Sequence, residues 1–462
     1  MMRFAHDDDT IVAPITPPGR SGVGTVRISG EKALSIIEGL SQRDRVSFKP
    51  RRAVLSKIVD PESGLLIDSA IVTYYRSPKS YTGEDVVEIS SHGNPIILSA
   101  ICDGAIFLGA RVAEAGEFTK RAFLKGKMDL SQAEAVQELI AAGTMLSAAA
   151  ARKRLEGGLK DAVTSTRERL LESLMHLEAA VDFPEEELEI LSKGKIGELL
   201  SGALGGVDEL LSTFRAGRVL AEGAKIAIVG KPNVGKSSLL NCFLREERAI
   251  VSPRPGTTRD FISEMRHIRG IPLKFIDTAG IRSGGVNDVE SEGVSRARKI
   301  IGDADLVLLV IDGSSALSQE DDAAREEISG KQFLLVVNKK DLGIVEHGER
   351  FGANDGCCGS VSVSAKSREG VEELESCIYS AILGEEALTS VEVLVGNMRQ
   401  KEMLEKAKGY IEDAIGGALE GLSPEFISLE VRDAASALGE IVGEITTEDI
   451  LEKIFSSFCI GK

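Results

Sequence analysis

The residues most able to do chemistry lie in Ile226–Ser238, which reads IAIVGKPNVGKSS. An apolar run stops at Gly230, and Gly235-Lys236-Ser237 follows at the spacing G-x-x-x-x-G-K-S. A run bounded by glycine predicts a buried strand, and Ser238-Leu239-Leu240 opens a helical pattern. Phosphate needs this combination: glycines let main-chain N–H groups approach closely, and a helix N-terminus favours negative charge. Asn233, Val234, Gly235 and Ser238 would then line the cradle. Lys236 would reach the outer phosphates and the Ser237 hydroxyl would bind Mg²⁺.

Four further segments follow in a telling order. Gly256-Thr257-Thr258-Arg259-Asp260 offers threonines in a loop, suited to sensing Mg²⁺ and a γ-phosphate. Lys274-Phe275-Ile276 leads into Asp277-Thr278-Ala279-Gly280, a strand, an acidic metal partner and a glycine N–H for the γ-phosphate. Phe333–Val337 is a strand ending in Asn338-Lys339-Lys340-Asp341. A carboxylate at Asp341 can accept from guanine N1–H and its 2-amino group; adenine lacks that pair, and a buried Asp341 would reject it. Ser364-Ala365-Lys366 would cap the base. Together these predict a guanine-nucleotide switch domain with GTP as substrate.

Ras-like proteins place a water-orienting glutamine after the Asp-x-x-Gly turn. Ile281 stands there instead. Two substitutes are visible. The Asn233 side chain could hold a monovalent cation beside the β- and γ-phosphates, adding positive charge where the transition state needs it. Glu290 could orient water, or be a solvated loop acid beside Glu292.

The elements that must position these groups alternate in kind. Thr10–Ile15, Val23–Ile28, Ala53–Val59, Ser69–Tyr75 and Val86–Ile89 read as strands, and Glu31–Leu40 as a helix. This predicts an α+β module over residues 1–122. From Ser131 the period is helical, and Leu155, Leu159, Val163, Leu170, Leu174, Leu177 and Val181 form one apolar stripe along a single long helix. Asp182-Phe183-Pro184-Glu185-Glu186-Glu187 breaks it and opens the next; the acids suit a helix start better than a metal site. Residues 222–384 alternate strands and helices, which predicts a Ras-like, doubly wound and mostly parallel P-loop sheet. Helical patterns return at Met403–Leu419, Phe426–Leu438 and Thr447–Phe458. The economical reading is one discontinuous all-α domain, 123–221 with 385–462, into which the switch domain is inserted. The apolar, thiol-bearing and basic tail Phe458–Lys462 is expected to dock rather than fray.

The chain of 462 residues is 43% apolar and 27% charged, lacks tryptophan, and carries a formal net charge of −17. A polyanion would meet a repulsive average field and need a local basic patch, to which Lys49-Pro50-Arg51-Arg52 and Lys120-Arg121…Lys125…Lys127 could contribute. The six cysteines have no C-x-x-C spacing, which argues against a zinc or disulfide framework. No signal-peptide pattern and no apolar run near membrane-spanning length are visible, so a cytoplasmic, membrane-free setting is expected.

The chain resembles the MnmE (TrmE) family of tRNA-modification GTPases along nearly its whole length. The resemblance rests on Asp9–Val12, Pro18–Gly24, Ser80–Val86, Gly116–Leu124, Asp129–Ala135, Asp182–Glu186 and Phe458–Lys462, beyond the switch motifs. It implies a homodimer joined through an N-terminal domain that binds a 5,10-methylene- or 5-formyl-tetrahydrofolate. It also implies an FAD-dependent MnmG-type partner, in a heterotetramer, that adds an aminomethyl or carboxymethylaminomethyl group to C5 of the tRNA wobble uridine. GTP hydrolysis in such proteins is K⁺-dependent. Carried over by motif, Asn233 with the backbone from Ser252 through Arg254 to Thr257 would hold K⁺, Ser237 with Thr258 would hold Mg²⁺, and Glu290 and Lys236 would act in catalysis. Arg27, Glu88, Lys127 and Lys462 match the folate-binding positions; one carboxylate suits a pterin and cations suit its glutamate tail. Without the resemblance, Arg27 and Lys127 read as surface residues. Cys459 is either a catalytic thiol beside the folate or a small buried hydrophobe. The competing reading is a switch GTPase of ribosome assembly or signalling, without folate chemistry.

Overall fold

The computed structural model describes residues 9–182, 193–244, 263–277, 300–345, 356–383 and 395–462. The chain divides into two compact units, residues 1–137 with 436–462, and residues 138–435.

In the first unit, β1 (Ile11–Pro14), β2 (Ser21–Ser29), β3 (Ala53–Val59), β4 (Leu66–Tyr75), β5 (Val86–Gly93) and β6 (Arg111–Val112) form one sheet. Their order is β3-β4-β5-β2-β1-β6. Every pairing is antiparallel except β1 with β6. The helices Ala33–Ser41 and Pro95–Phe107 supply Ile36, Leu40 and Ile101 to a core shared with Val26, Ile28, Val72, Val87 and Ile89. Burying each such side chain contributes roughly 1.5–3 kcal/mol. Pro95 sits in the first turn of its helix, and the Asn94 side chain accepts from the Ile96 N–H, so the chain turns sharply from β5 into that helix.

The helix Glu117–Leu124 was hidden in the sequence pattern. It starts at Gly116, whose φ of +68° and close approach to the Phe455 carbonyl both exclude a side chain. Leu451, Phe455 and Phe458 pack with Leu130 and Ala133. The C-terminal segment then docks: Ile460 bridges Ala115, and the Phe118 N–H donates to the Lys462 main-chain oxygen at 3.1 Å.

In the second unit, β7 (Ala224–Val229), β8 (Ser263–Ile268), β9 (Ile271–Asp277), β10 (Leu306–Asp312), β11 (Phe333–Asn338) and β12 (Cys357–Ser362) lie in the order β12-β11-β10-β7-β9-β8. Only β8 runs antiparallel to its neighbour. Successive residues of β10 enter different cores: Leu306, Leu308 and Val310 join one, Val307, Leu309 and Ile311 the other. A strand covered on both faces has no polar side, which explains its unbroken apolar run. The fold is thus multidomain, with a mostly parallel doubly wound sheet, as expected.

The single long helix expected through Leu155 is instead two, Met145–Leu155 and Gly158–Asp182. Gly157 between them takes φ +101°, which an α-helix cannot accommodate. The next helix, Lys193–Glu222, runs unbroken through Gly202, Gly205 and Gly206. A Cβ at Gly206 would lie 2.7 Å from the Thr166 hydroxyl, so this glycine sets how closely the two helices pack. Residues 183–187, with their acidic run, lie outside the described residues.

Candidate functional site

The end of β7 feeds a loop whose shape depends on its glycines. Gly230 takes φ +151° and Gly235 φ +100°, and a Cβ would lie 2.2 Å from the Val310 carbonyl oxygen at the first and 2.2 Å from Asn338 Nδ2 at the second. Any side chain at either position would collide. Asn233 itself is left-handed, with φ +64°. The helix Lys236–Leu244 follows at once, so the positive end of its dipole faces the loop. Lys236 is buried, and its Nζ donates to the Gly230 and Lys231 carbonyls, both at 2.8 Å. The ammonium is thereby poised across the loop's mouth. Lys231 anchors the loop from behind: its Nζ donates to Asp321 Oδ2 at 2.7 Å and to the Ser318 hydroxyl at 3.2 Å. Burial pushes the Asp321 carboxyl up, but bonds from Lys231 and Ser318 outweigh it and lower it.

The base-recognition loop is braced against the phosphate loop by one side chain. Asn338, buried at the end of β11, donates from Nδ2 to the Val234 carbonyl at 2.8 Å and accepts at Oδ1 from the Ala365 N–H at 3.0 Å. It therefore holds three motifs together. The Ser364 hydroxyl donates to Asp341 Oδ1 at 2.7 Å. Asp341 and Lys366 border the same loops, but Asp341 is exposed, not buried as expected.

Lys339 is left-handed at φ +65°, and its Nζ donates to Asp312 Oδ2 at 2.6 Å. Burial raises the Asp312 carboxyl, yet the bonds from Lys339 and Ser314 hold it down at about 2. Asp312 and the Lys231–Asp321 pair escaped the sequence reading; Asp312 ends the apolar run of β10, which was the available signal. Asp277 ends β9 beside Ile228 of β7. Ser252, Arg254, Thr257, Thr258, Thr278, Ala279, Gly280 and Glu290 lie outside the described residues.

In the first unit, Arg27 and Glu88 face each other across β2 and β5, with Arg27 Nε and Nη2 donating to Glu88 Oε1 at 3.0 and 2.8 Å. Arg27 is only 9% exposed, so it is not the surface residue that its strand alone suggested. Its guanidinium lies 4.9 Å from the Tyr81 ring centroid and 5.4 Å from that of Phe118. The Tyr75 hydroxyl donates to Glu88 Oε2 at 3.5 Å; burial, then the charge of Glu88, raises its pKa. Lys462 joins the group: burial, then the positive charge of Arg27, lowers its ammonium pKa, while Glu88 and Cys459 oppose this. Lys127 is exposed and donates to the Pro78 carbonyl at 3.0 Å. Cys459 is exposed, which removes the buried-hydrophobe alternative.

The helix bearing Phe118 is fixed by buried charges. Arg121 is 4% exposed and bonds Glu117 Oε1, Glu84 Oε2 and the Asp9 carbonyl. Arg111 forks onto both Glu117 oxygens at 2.8 and 2.6 Å. Burial pushes the Glu117 carboxyl up, but Arg111, the Glu114 N–H and Arg121 bring it down to about 2. Arg121 is therefore part of a closed internal network and leaves the basic patch expected around it. Among the described residues, no cluster of three or more His, Cys, Asp or Glu could hold a metal ion, and no helix is long and apolar enough to cross a membrane.

Phosphate and guanine loops tied by Asn338 at the carboxyl ends of one parallel sheet make this a P-loop GTPase. Residues 10–127 match the model for the GTP-binding protein TrmE N-terminus, and residues 130–459 match that for the MnmE helical domain. The chain is 45% identical over 456 residues to the tRNA modification GTPase MnmE of Aquifex aeolicus (strain VF5), covering 98% of this chain and 100% of that one. It is 43% identical to the namesake proteins of Syntrophus aciditrophicus (strain SB) and Thermotoga sp. (strain RQ2), again over 98% of its length and 99% and 100% of theirs. The chain belongs to the MnmE family of tRNA modification GTPases.

Proposed function

We propose that this GTPase works with an FAD-dependent, MnmG-type partner to add an aminomethyl or carboxymethylaminomethyl group to C5 of the wobble uridine of tRNA. The carrying observation is the Arg27–Glu88 pair, beside which the C-terminal segment docks: Phe118, whose ring lies 5.4 Å from the Arg27 guanidinium, donates its N–H to the Lys462 main-chain oxygen. Their chemistry suits a reduced folate. A carboxylate can accept from a pterin's N–H and amino group, cations suit the glutamate tail, and the half-buried Tyr75 and Tyr81 supply aromatic walls. A tetrahydrofolate derivative held there would supply the one-carbon unit. Arg27 and Lys462 would bind and orient it, and Glu88 would fix the ring. Lys127 is a binding candidate at the neighbouring turn. Cys459, being exposed, is available as a thiol.

In the switch domain, Val234, Gly235 and Ser238 would hold phosphate through main-chain N–H groups, Lys236 the outer phosphates, and Asn338, Lys339, Asp341, Ser364, Ala365 and Lys366 the guanine. The left-handed Asn233 supports a K⁺ site completed by Ser252, Arg254 and Thr257. Ser237 and Thr258, with Asp277, would serve Mg²⁺. Thr278, Ala279 and Gly280 would meet the γ-phosphate, and Glu290 would orient water. The domain plan is 1–122 for folate and dimerisation, 222–384 for GTP, and 123–221 with 385–462 as the helical arm. The setting is a cytoplasmic homodimer, joined to its partner in a heterotetramer.

Nucleoside mass analysis of tRNA from cells lacking this protein tests the reading. Loss of the C5 group, restored by the wild-type chain, is expected; an unchanged wobble uridine refutes it. A GTPase rate equal in KCl and NaCl would refute the K⁺ assignment alone.

A further inference from the structure

Residues 1–137 hold seventeen basic and seventeen acidic residues, so the whole formal charge of −17 belongs to the remainder of the chain. Within this neutral stretch the cations are unevenly placed. Two reverse turns lie side by side: the Arg52 N–H donates to the Lys49 carbonyl at 3.2 Å, and the Lys79 N–H to the Arg76 carbonyl at 2.9 Å. Arg51 staples them together, donating from its N–H to the Tyr74 carbonyl at 2.7 Å and from Nη2 to the Lys79 carbonyl at 3.2 Å. Lys49, Arg51, Arg52, Arg76 and Lys79 are all exposed. None of the five has an acidic partner among the described residues, whereas nearby Arg45 is paired with Glu38. Five unpaired cations on two tied turns repel one another, a cost that ordinary surfaces avoid by interspersing acids.

The turns adjoin the Arg27–Glu88 site. Tyr75, which reaches Glu88, immediately precedes the 76–79 turn, and Lys127 donates to Pro78 within that turn.

We infer that the paired turns Lys49–Arg52 and Arg76–Lys79 grip the phosphate backbone of the RNA substrate and lead its target base toward the Arg27–Glu88 site. This rests on the tRNA reading above. Arginine forks match phosphate oxygens, and phosphate contacts of this kind position an RNA without reading its sequence. A protein partner with an acidic face is the competing occupant. Phosphate is favoured because the two turns carry only lysine, arginine, proline and serine, with none of the large apolar or aromatic anchors that a protein interface would present.

The test uses the full chain with Arg52, Arg76 and Lys79 all changed to Ala. Arg51 is spared because it ties the turns. Fluorescence anisotropy with a labelled tRNA transcript is read from 50 to 200 mM salt. Each lost phosphate contact lowers the log–log salt slope by roughly 0.7–0.9, so the variant's affinity should fall about 20- to 40-fold less than the wild type's over that range. Its affinity at 50 mM should be weaker, its GTPase rate unchanged, and the corresponding all-lysine variant should keep the wild-type slope. Equal slopes and equal affinities overturn the inference while leaving the tRNA reading intact. A variant that keeps RNA but loses its protein partner also overturns it, in favour of the acidic-protein surface. A wild type that neither binds nor modifies tRNA overturns both.

Discussion

Replacing Asn338 with Ala should separate the two halves of the nucleotide site. The side chain is 2% exposed and makes two hydrogen bonds, to the Val234 carbonyl and from the Ala365 N–H. Truncation leaves the buried Val234 carbonyl and the half-buried Ala365 N–H without their partner. Each such orphan costs about 1–3 kcal/mol, so the pair is worth about 2–6 kcal/mol. Part of this falls on the free protein, because the bonds are present without nucleotide. The rest is charged to binding, which must then order loops that Asn338 had held in register. With about half of this, roughly 1–3 kcal/mol, reaching the binding equilibrium, GTP affinity falls roughly 5- to 140-fold at 1.4 kcal/mol per decade. Titration with a fluorescent GTP analogue, alongside thermal unfolding of the free protein, gives both components. A dissociation constant within threefold of wild type would refute the idea that this side chain couples the loops.

Glu117→Gln removes the charge that holds Arg111 and Arg121, and losing one member of a buried ionic network costs about 3–5 kcal/mol. Because the Glu117 carboxyl is lowered to about 2, its charge stabilises the fold above the ordinary carboxylate value of 4.5 and is lost as pH falls from there toward 2. Wild-type stability should therefore drop over that window by about 3 kcal/mol more than the variant's; parallel curves by urea unfolding would count against the network. Gly206→Val should separate the helices at Thr166 and destabilise by about 1–3 kcal/mol, measured by thermal unfolding, with an unchanged midpoint contradicting the close packing. Brief maleimide labelling of the native protein should modify exposed Cys459 and Cys358 before buried Cys242 and before Cys102, whose thiol burial pushes up to about 12. Peptide mapping that finds Cys102 modified first would contradict this placement.

The nucleotide motifs were legible because their chemistry is local. A phosphate loop needs its glycines and lysine at fixed spacing, and β10 and β11 announce themselves as apolar runs covered on both faces. What the motifs do to one another was not legible. That Asn338 reaches Val234 depends on strand order, which places β11 two strands from β7. The Arg27–Glu88 pairing depends on β2–β5 register, and a one-residue slip would turn both side chains to the opposite face. The break at Gly157 was missed because the apolar stripe keeps its period across it. The helix Glu117–Leu124 was missed because it is short and buries charge, so its apolar periodicity is weak. Exposure of Asp341 and Cys459 follows from the surrounding surface, which no single stretch of sequence encodes.

The account depends most on Arg27, Glu88 and Lys462 forming a site for a reduced folate. Calorimetric titration of the full-length protein with 5-formyl-tetrahydrofolate addresses it directly, with Arg27→Ala as the paired variant and GTP binding as the check on its folding. Saturable binding by the wild type, weakened at least tenfold in the variant, is the predicted result. Equal binding by both, or none by a wild type that still binds GTP, would contradict it.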